Sequence, residues 1–185
     1  MERGLILDLP DKLHLDCYPD ADFAGLWKHE DSNDPHCVLS RTGYVITLAR
    51  CPIIWASKMQ TEIALSTMEA EYIALSTACR DLFPVMDKLV KITTILNLPF
   101  TPGSNMHVRI HEDNAGALVL GKLEPLRMTP HSKHYAVKYH WFWEQLLPRN
   151  IELVKIALEN QLGDIFTKGL GPVAFKRMQK QLMGW

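Results

Sequence analysis

Along this chain the spacing of apolar residues changes from segment to segment, and the changes predict the elements. In residues 13–22, Leu13, Leu15 and Cys17 alternate with His14 and Asp16, the period of a strand, and Pro19 marks its end or an irregularity in it. Residues 42–48 and 52–57 are further strands; residues 49–51 leave room only for a tight connection, which predicts an antiparallel hairpin. The period then becomes helical, with Leu65, Met68, Tyr72, Ile73, Leu75 and Ala78. Ser66 followed three residues later by Glu69 fits a capping box, so a helix is expected over 66–82, with Pro84 in the first turn of a second helix ending near 96. Alternation returns in 106–112, where Val108 and Ile110 separate His107, Arg109 and His111. A short Ala- and Gly-rich helix over 114–120, an aromatic-bearing helix over 132–147, a last strand over 151–157, a short helix within 159–167 and an amphipathic helix over 172–182 complete the pattern. The order β-β-β-α-α-β-α-α-β-α-α predicts an α/β fold. Its five-stranded mixed sheet would have three antiparallel strands, then two parallel ones, flanked by helices.

Composition narrows the picture. A length of 185 residues suits one domain with a full core, and a net charge of −1 excludes a global field that would draw in a polyanion. Any nucleic-acid contact must come from local clusters of Lys and Arg. Cys17, Cys37, Cys51 and Cys79 form no CxxC pair and no zinc spacing, as expected of buried free thiols in a reducing, intracellular setting. No apolar run reaches membrane-spanning length, and the opening Met-Glu-Arg-Gly-Leu-Ile-Leu-Asp lacks the make-up of a signal peptide.

The acids suggest the chemistry. Glu69 and Glu71 are two apart and cannot share a helix face. Either Glu69 only closes the cap while Glu71 is solvated, or one of them faces the core and needs a partner such as a metal ion. Asp20 ends the first strand, Asp113 the fourth, and Asp164 lies in a helix after the last. If strands one and four are parallel neighbours, Asp20 and Asp113 stand side by side where open α/β sheets form their sites. With Glu69 and Asp164 they would make a group that cannot stay ionised without cations. Oxygen ligands of that charge density favour magnesium or manganese. Two such ions roughly 4 Å apart serve an in-line displacement, so hydrolysis of a phosphodiester is the expected reaction.

The blocks Tyr-Pro-Asp-Ala-Asp-Phe-Ala-Gly (18–25), Arg-Thr-Gly-Tyr-Val-Ile (41–46) and Pro-Ile-Ile-Trp-Ala-Ser-Lys (52–58) carry a resemblance. So do Ala-Leu-Ser-Thr-Met-Glu-Ala-Glu-Tyr-Ile-Ala-Leu-Ser (64–76), Glu-Asp-Asn-Ala-Gly-Ala (112–117) and Asn-Gln-Leu-Gly-Asp-Ile-Phe-Thr-Lys (160–168). In this order they resemble the ribonuclease H domain at the C-terminal end of the Pol polyprotein of copia-type LTR retrotransposons. The resemblance implies the ribonuclease H-like fold and cleavage of the RNA strand of RNA–DNA hybrids during reverse transcription. It implies Asp20, Glu69, Asp113 and Asp164 as catalytic, metal-binding residues. Asp20 would bridge two Mg2+ or Mn2+ ions, Glu69 and Asp113 would hold one, and Asp164 the other. The implied partners are the hybrid and the reverse transcriptase region of the same polyprotein, with no membrane. The implied location is a cytoplasmic virus-like particle. Residues 1–12 would be a lead-in from the upstream Pol region, 13–170 the ribonuclease H domain and 171–185 a C-terminal helical tail. Three places depart from the pattern. Gly163 stands where the family usually has Ala, which should loosen the helix slightly. Residues 80–84 replace a more continuous helix. Residues 157–161 hold no His, where cellular ribonucleases H carry a catalytic one.

Other residues have competing readings. Asp22 shares the strand face of Asp20 and is a ligand or a bystander. Ser66 and Thr67 either cap the helix or meet an RNA 2′-OH, and Lys58, Gln60 and Asn114 are candidate substrate contacts. Lys133 and His134, in a segment with Tyr135 and Tyr139, form either a phosphate-binding stripe or the solvated face of a helix. Lys168, Lys176, Arg177 and Lys180 give the tail a basic character, for docking on the polymerase part of Pol or simply for solvation. The alternative function, from a different class, is a catalytically inactive or host-adopted domain that binds hybrids or connects its neighbours. A DDE-type recombinase would need another order of acids.

Overall fold

Strands β1 (His14–Asp22), β2 (Arg41–Leu48), β3 (Cys51–Met59), β4 (His107–Glu112) and β5 (Ile151–Lys155) form one sheet in the order β3-β2-β1-β4-β5. The computed structural model describes residues 4–6, 13–27, 33–122, 141 and 144–184. β2 pairs antiparallel with both β1 and β3, and β4 pairs parallel with both β1 and β5. This is the mixed sheet that the strand periods predict. The tight connection between β2 and β3 holds Ala49 and Arg50 at φ 52° and 67°, the left-handed pair of a two-residue hairpin turn.

One face of the sheet packs on helix α1 (Thr67–Ile95). Tyr72, Leu75, Ala78, Cys79, Leu82, Phe83 and Met86 meet Leu15, Cys17, Tyr44, Ile46, Val108, Ile110 and Leu153. A single 29-residue helix thus replaces the two expected around Pro84. Pro84 is exposed, as is Arg80, whose carbonyl loses the amide it would have received on the solvent side of the helix, and the core stripe runs on unbroken. On the opposite face, Val45 packs with Leu162 and with Leu182 of helix α3 (Pro172–Met183). Helix α2 (Ala115–Lys122) follows β4. The expected helix within 159–167 is instead two 3-10 turns, Leu158–Asn160 and Leu162–Phe166. All four cysteines are buried and free. Among the described residues no helix is long and apolar enough to cross a membrane. Most of the expected 132–147 helix, with Lys133 and His134, lies outside the described residues.

Candidate metal centre

The site begins where β1 and β4 part. Their parallel pairing ends at Cys17 and Ile110, yet β1 stays paired with β2 as far as Asp22. Pro19 accounts for the asymmetry. The N–H and C=O of a strand residue point to the same side, and the Pro19 carbonyl points toward β4, where Gln161 Nε2 donates to it at 2.9 Å. The missing N–H is therefore on the β4 side and the ladder stops there. The fully buried Gln161 spans the gap: Nε2 also donates to the His111 carbonyl at 3.2 Å, and Oε1 accepts from Gly163 N at 3.2 Å.

That clamp sets the 3-10 turn Leu162–Phe166 against the sheet, and two glycines let it come close. Gly43 is the ladder partner of Asp20, and a Cβ there would lie 2.5 Å from Thr167 Cγ2 and 2.8 Å from Phe166 Cβ. A Cβ on Gly163 would lie 2.7 Å from Asp20 Cβ and 2.8 Å from the Tyr18 carbonyl. Gly163 thus sits in contact with β1, and a family alanine there needs a wider spacing. The approach brings Asp164, Thr167 and Lys168 to Asp20. Thr167 Oγ1 donates to Asp20 Oδ2, and Lys168 Nζ donates to Asp20 Oδ1 at 3.1 Å and to Asp164 Oδ1 at 2.5 Å.

On the other side of Asp20 stand Glu71 and Asp113. Ligand oxygens of Asp20, Glu71 and Asp113 all lie within 4.8 Å of one another. Glu71, and not Glu69, is the helix carboxylate of this group, which corrects the choice made from the sequence. Glu71 is in phase with Leu75, Ala78, Leu82 and Met86 on the core-facing stripe of α1 and is buried. Glu69 is turned away: its Oε2 accepts from Leu65 N at 2.7 Å, and its own N–H donates to Ser66 Oγ at 3.1 Å. The Ser66 half of the capping box forms, while the Glu69 carboxylate reaches past Ser66 to the Leu65 amide, and that bond occupies Glu69. Leu65 and Met68, which had set the apolar phase, are 82% and 40% exposed. Discarding them as core residues would have pointed to Glu71.

A fourth carboxylate, Glu112, was overlooked because the alternation of β4 drew attention to its histidines. Glu112 is fully buried and accepts from Asn114 N at 3.0 Å through Oε1. Glu71 Oε2, Glu112 Oε2 and Asp113 Oδ1 are buried with no donor among the described residues. Burial first, and then the neighbouring carboxylates, push the Glu71 carboxyl well up. The same order of causes operates at Glu112, raised to about 8, although the Asn114 amide pulls the other way. Burial also raises Asp20, against the pull of Lys168 and Thr167. Carboxylates that are buried, close together and short of donors fit a divalent cation, which would satisfy the orphaned oxygens at once.

The remaining candidates have other partners. Ser66 is the N-cap of α1, and Thr67 is exposed beside it. Gln60 donates to Thr42 Oγ1 at 3.0 Å and to the Ala70 carbonyl at 2.9 Å, tying the end of β3 to α1. Asn114 Oδ1 caps α2 through Gly116 N and Ala117 N, at 2.9 and 3.0 Å. The Asp22 carboxylate folds over Gly25, where a Cβ would lie 1.8 Å from Oδ2. Exposed Lys58 borders a groove of about 620 Å³ that also takes in Gln60, Thr77, Arg80 and Trp141.

No protein-family model matches the chain. It is 30% identical over 183 residues to the retrovirus-related Pol polyprotein from transposon RE2 of Arabidopsis thaliana, a match to 98% of this chain and 11% of the polyprotein. The Pol polyprotein from transposon TNT 1-94 of Nicotiana tabacum is 28% identical over 170 residues, covering 90% of the chain and again 11% of the relative. The chain therefore spans about 11% of the length of the curated relatives it matches. Among solved structures, LC11-RNase H1, isolated from compost by a metagenomic approach, superposes with a TM-score of 0.54 at 20% identity, covering 85% of this chain and 94% of that one. The same enzyme in complex with an RNA/DNA hybrid gives 0.51 at 21% identity, covering 83% and 93%. The chain has the ribonuclease H fold and is a relative of one stretch of the Pol polyproteins of copia-type plant retrotransposons.

Proposed function

We propose that this chain is a metal-dependent ribonuclease H that hydrolyses the RNA strand of RNA–DNA hybrids, in the setting of a Pol polyprotein and its reverse transcription. The observation that carries the reading is the buried group Asp20, Glu71 and Asp113, whose ligand oxygens lie within 4.8 Å of one another. These residues would hold one magnesium or manganese ion, and Asp20 with Asp164 a second. Bound there, such ions activate a water and stabilise the departing oxygen of a phosphodiester. The chain's own contribution is orientation. Thr167 fixes one oxygen of Asp20, the Gln161 clamp fixes the depth of Asp164, and the core stripe of α1 fixes Glu71. The groove bordered by Lys58, Arg80 and Trp141 offers cations for phosphates and an aromatic face for a sugar or base, a sequence-independent mode of contact.

The test is cleavage of an end-labelled RNA–DNA hybrid against an RNA duplex, with magnesium and with chelator. The hybrid alone should be cut, only with metal, and Asp20→Asn or Asp113→Asn should abolish cleavage with the fold retained by circular dichroism. Substantial cleavage by either variant in magnesium would overturn the assignment.

A further inference from the structure

The two halves of the acidic site are neutralised differently. Toward α1 and β4, Glu71 Oε2 and Asp113 Oδ1 are buried without a donor among the described residues. Toward the 3-10 turn, both oxygens of Asp20 are engaged, one by the Thr167 hydroxyl and the other by the Lys168 ammonium. The same ammonium reaches Asp164 Oδ1 at 2.5 Å. Lys168 therefore lies between Asp20 and Asp164, the pair proposed above to hold a second ion, and this inference rests on that reading. The carboxylates are nearly inaccessible, with side chains 0% and 7% exposed, whereas the lysine side chain is 34% exposed. The contact is also built in by the fold. Lys168 N donates to the Asp164 carbonyl at 3.0 Å, so the backbone presents the lysine one turn on from the acid it pairs with.

We propose that the Lys168 ammonium is a built-in counter-ion that competes with the second divalent ion for the Asp20 and Asp164 oxygens, so that the site loads its ions in order. The first ion enters where Glu71 and Asp113 present oxygens that no donor among the described residues holds, and there it shares only Asp20 with Lys168. The second must displace an amino group that donates to both carboxylates. A flexible stem and a strongly hydrated head let the lysine swing into solvent, or to a substrate phosphate, at the cost of its two contacts. A metal-free protein keeps its Asp20–Asp164 pair neutralised, and full loading is favoured when a polyanion is present to receive the lysine.

Calorimetric titration with Mn2+ alone, on wild type and on Lys168→Met and Lys168→Arg, tests this without any cleavage readout. Wild type should bind one ion tightly and a second at least tenfold more weakly. Lys168→Met should tighten the second event tenfold or more, while Lys168→Arg, which keeps the charge, should not. In 15N-labelled wild type under Mg2+ titration, the larger movement of the Lys168 ammonium resonance should come with the second equivalent. Lys168→Gln replaces Lys168→Met if the latter fails to fold. An unchanged or weakened second event on removing the charge would overturn the inference while leaving the metal-dependent hydrolase reading standing. Absence of any metal binding in every variant would overturn both.

Discussion

Replacing Glu71 and Glu69 in turn by glutamine separates the buried carboxylate from the capping one. In the metal-free protein burial and the charges of Asp20, Glu112 and Asp113 act on Glu71, and the Lys168 ammonium offsets them only in part. Two carboxylates 4.8 Å apart repel by about 3 kcal/mol at an effective dielectric constant near 20. The fold can avoid this only by holding a proton on Glu71, and its carboxyl is indeed raised. Holding that proton costs about 1.4 kcal/mol for each pH unit above the ordinary glutamate value, again roughly 3 kcal/mol at pH 7. Glu71→Gln removes the charge at constant shape. It should therefore raise metal-free stability by about 1–3 kcal/mol, or about 3–8 °C in melting temperature for a domain of this size. Glu69→Gln weakens only a half-exposed cap bond to Leu65 N and should lower stability by about 0.5 kcal/mol. Metal reverses the ranking. A divalent ion at a hundred times its dissociation constant adds about 2.7 kcal/mol to a protein that binds it. That gain should appear in wild type and Glu69→Gln and vanish in Glu71→Gln. Thermal melts at pH 7, with EDTA and with Mn2+, supply every number needed. If Glu69→Gln loses the metal shift while Glu71→Gln retains it, or if Glu71→Gln destabilises the metal-free protein, the assignment of the helix carboxylate is wrong.

Two further outcomes follow from the surroundings of the site. Gln161→Ala removes two buried hydrogen bonds and one part-buried one and leaves the Pro19 and His111 carbonyls without their side-chain donor. It should cost about 3 kcal/mol in urea denaturation and weaken metal binding, whereas a loss of stability with unchanged metal affinity would make the clamp irrelevant to the centre. The pH profile has two limbs. Glu71, Asp20 and Glu112 are raised in the fold, so the folded state binds more protons than the unfolded. Their contribution is greatest below the ordinary carboxylate value and is lost as pH rises through about 7 for Asp20, about 8 for Glu112 and about 10 for Glu71. Asp16 behaves oppositely. Burial pushes it up, but hydrogen bonds and charges from His111 and Arg109 leave it lowered, so its contribution is present at neutral pH and lost in acid, below the ordinary aspartate value. Stability in EDTA should therefore decline from about pH 5 to pH 8, and saturating Mn2+ should remove that decline; a flat metal-free profile over this range would count against the uncompensated cluster.

The sheet was legible because β1 and β4 show a period of two, and the antiparallel hairpin because of the short span between β2 and β3. The helix register was less so. Leu65 and Met68 match a helical period as well as the true core residues do, and nothing local shows that they face solvent. Pro84 does not break the helix because the carbonyl it leaves without an amide, that of Arg80, lies on the exposed side, and exposure is a tertiary property. Of the acids, Asp20 and Asp113 follow from strand ends, but Glu112 is placed by the turn into α2, where its own carboxylate takes the Asn114 amide. Lys168 is the clearest case of information the sequence withholds, since its partner Asp20 is 148 residues away.

The residues that assemble the centre are mostly not acids. Pro19 ends the β1–β4 ladder on one side only, which opens the sheet while β2 still holds β1 straight. Gln161 fills the opening with an amide that satisfies both strand carbonyls, and Gly43 and Gly163 remove the side chains that would hold the turn away. Given those features, Asp164 meets Asp20 with little freedom, because the turn can settle at only one depth. An acid placed at 164 without them would stand farther from Asp20. The carboxylates supply the charge of the site, and a proline, a glutamine and two glycines supply the distances on which its chemistry depends.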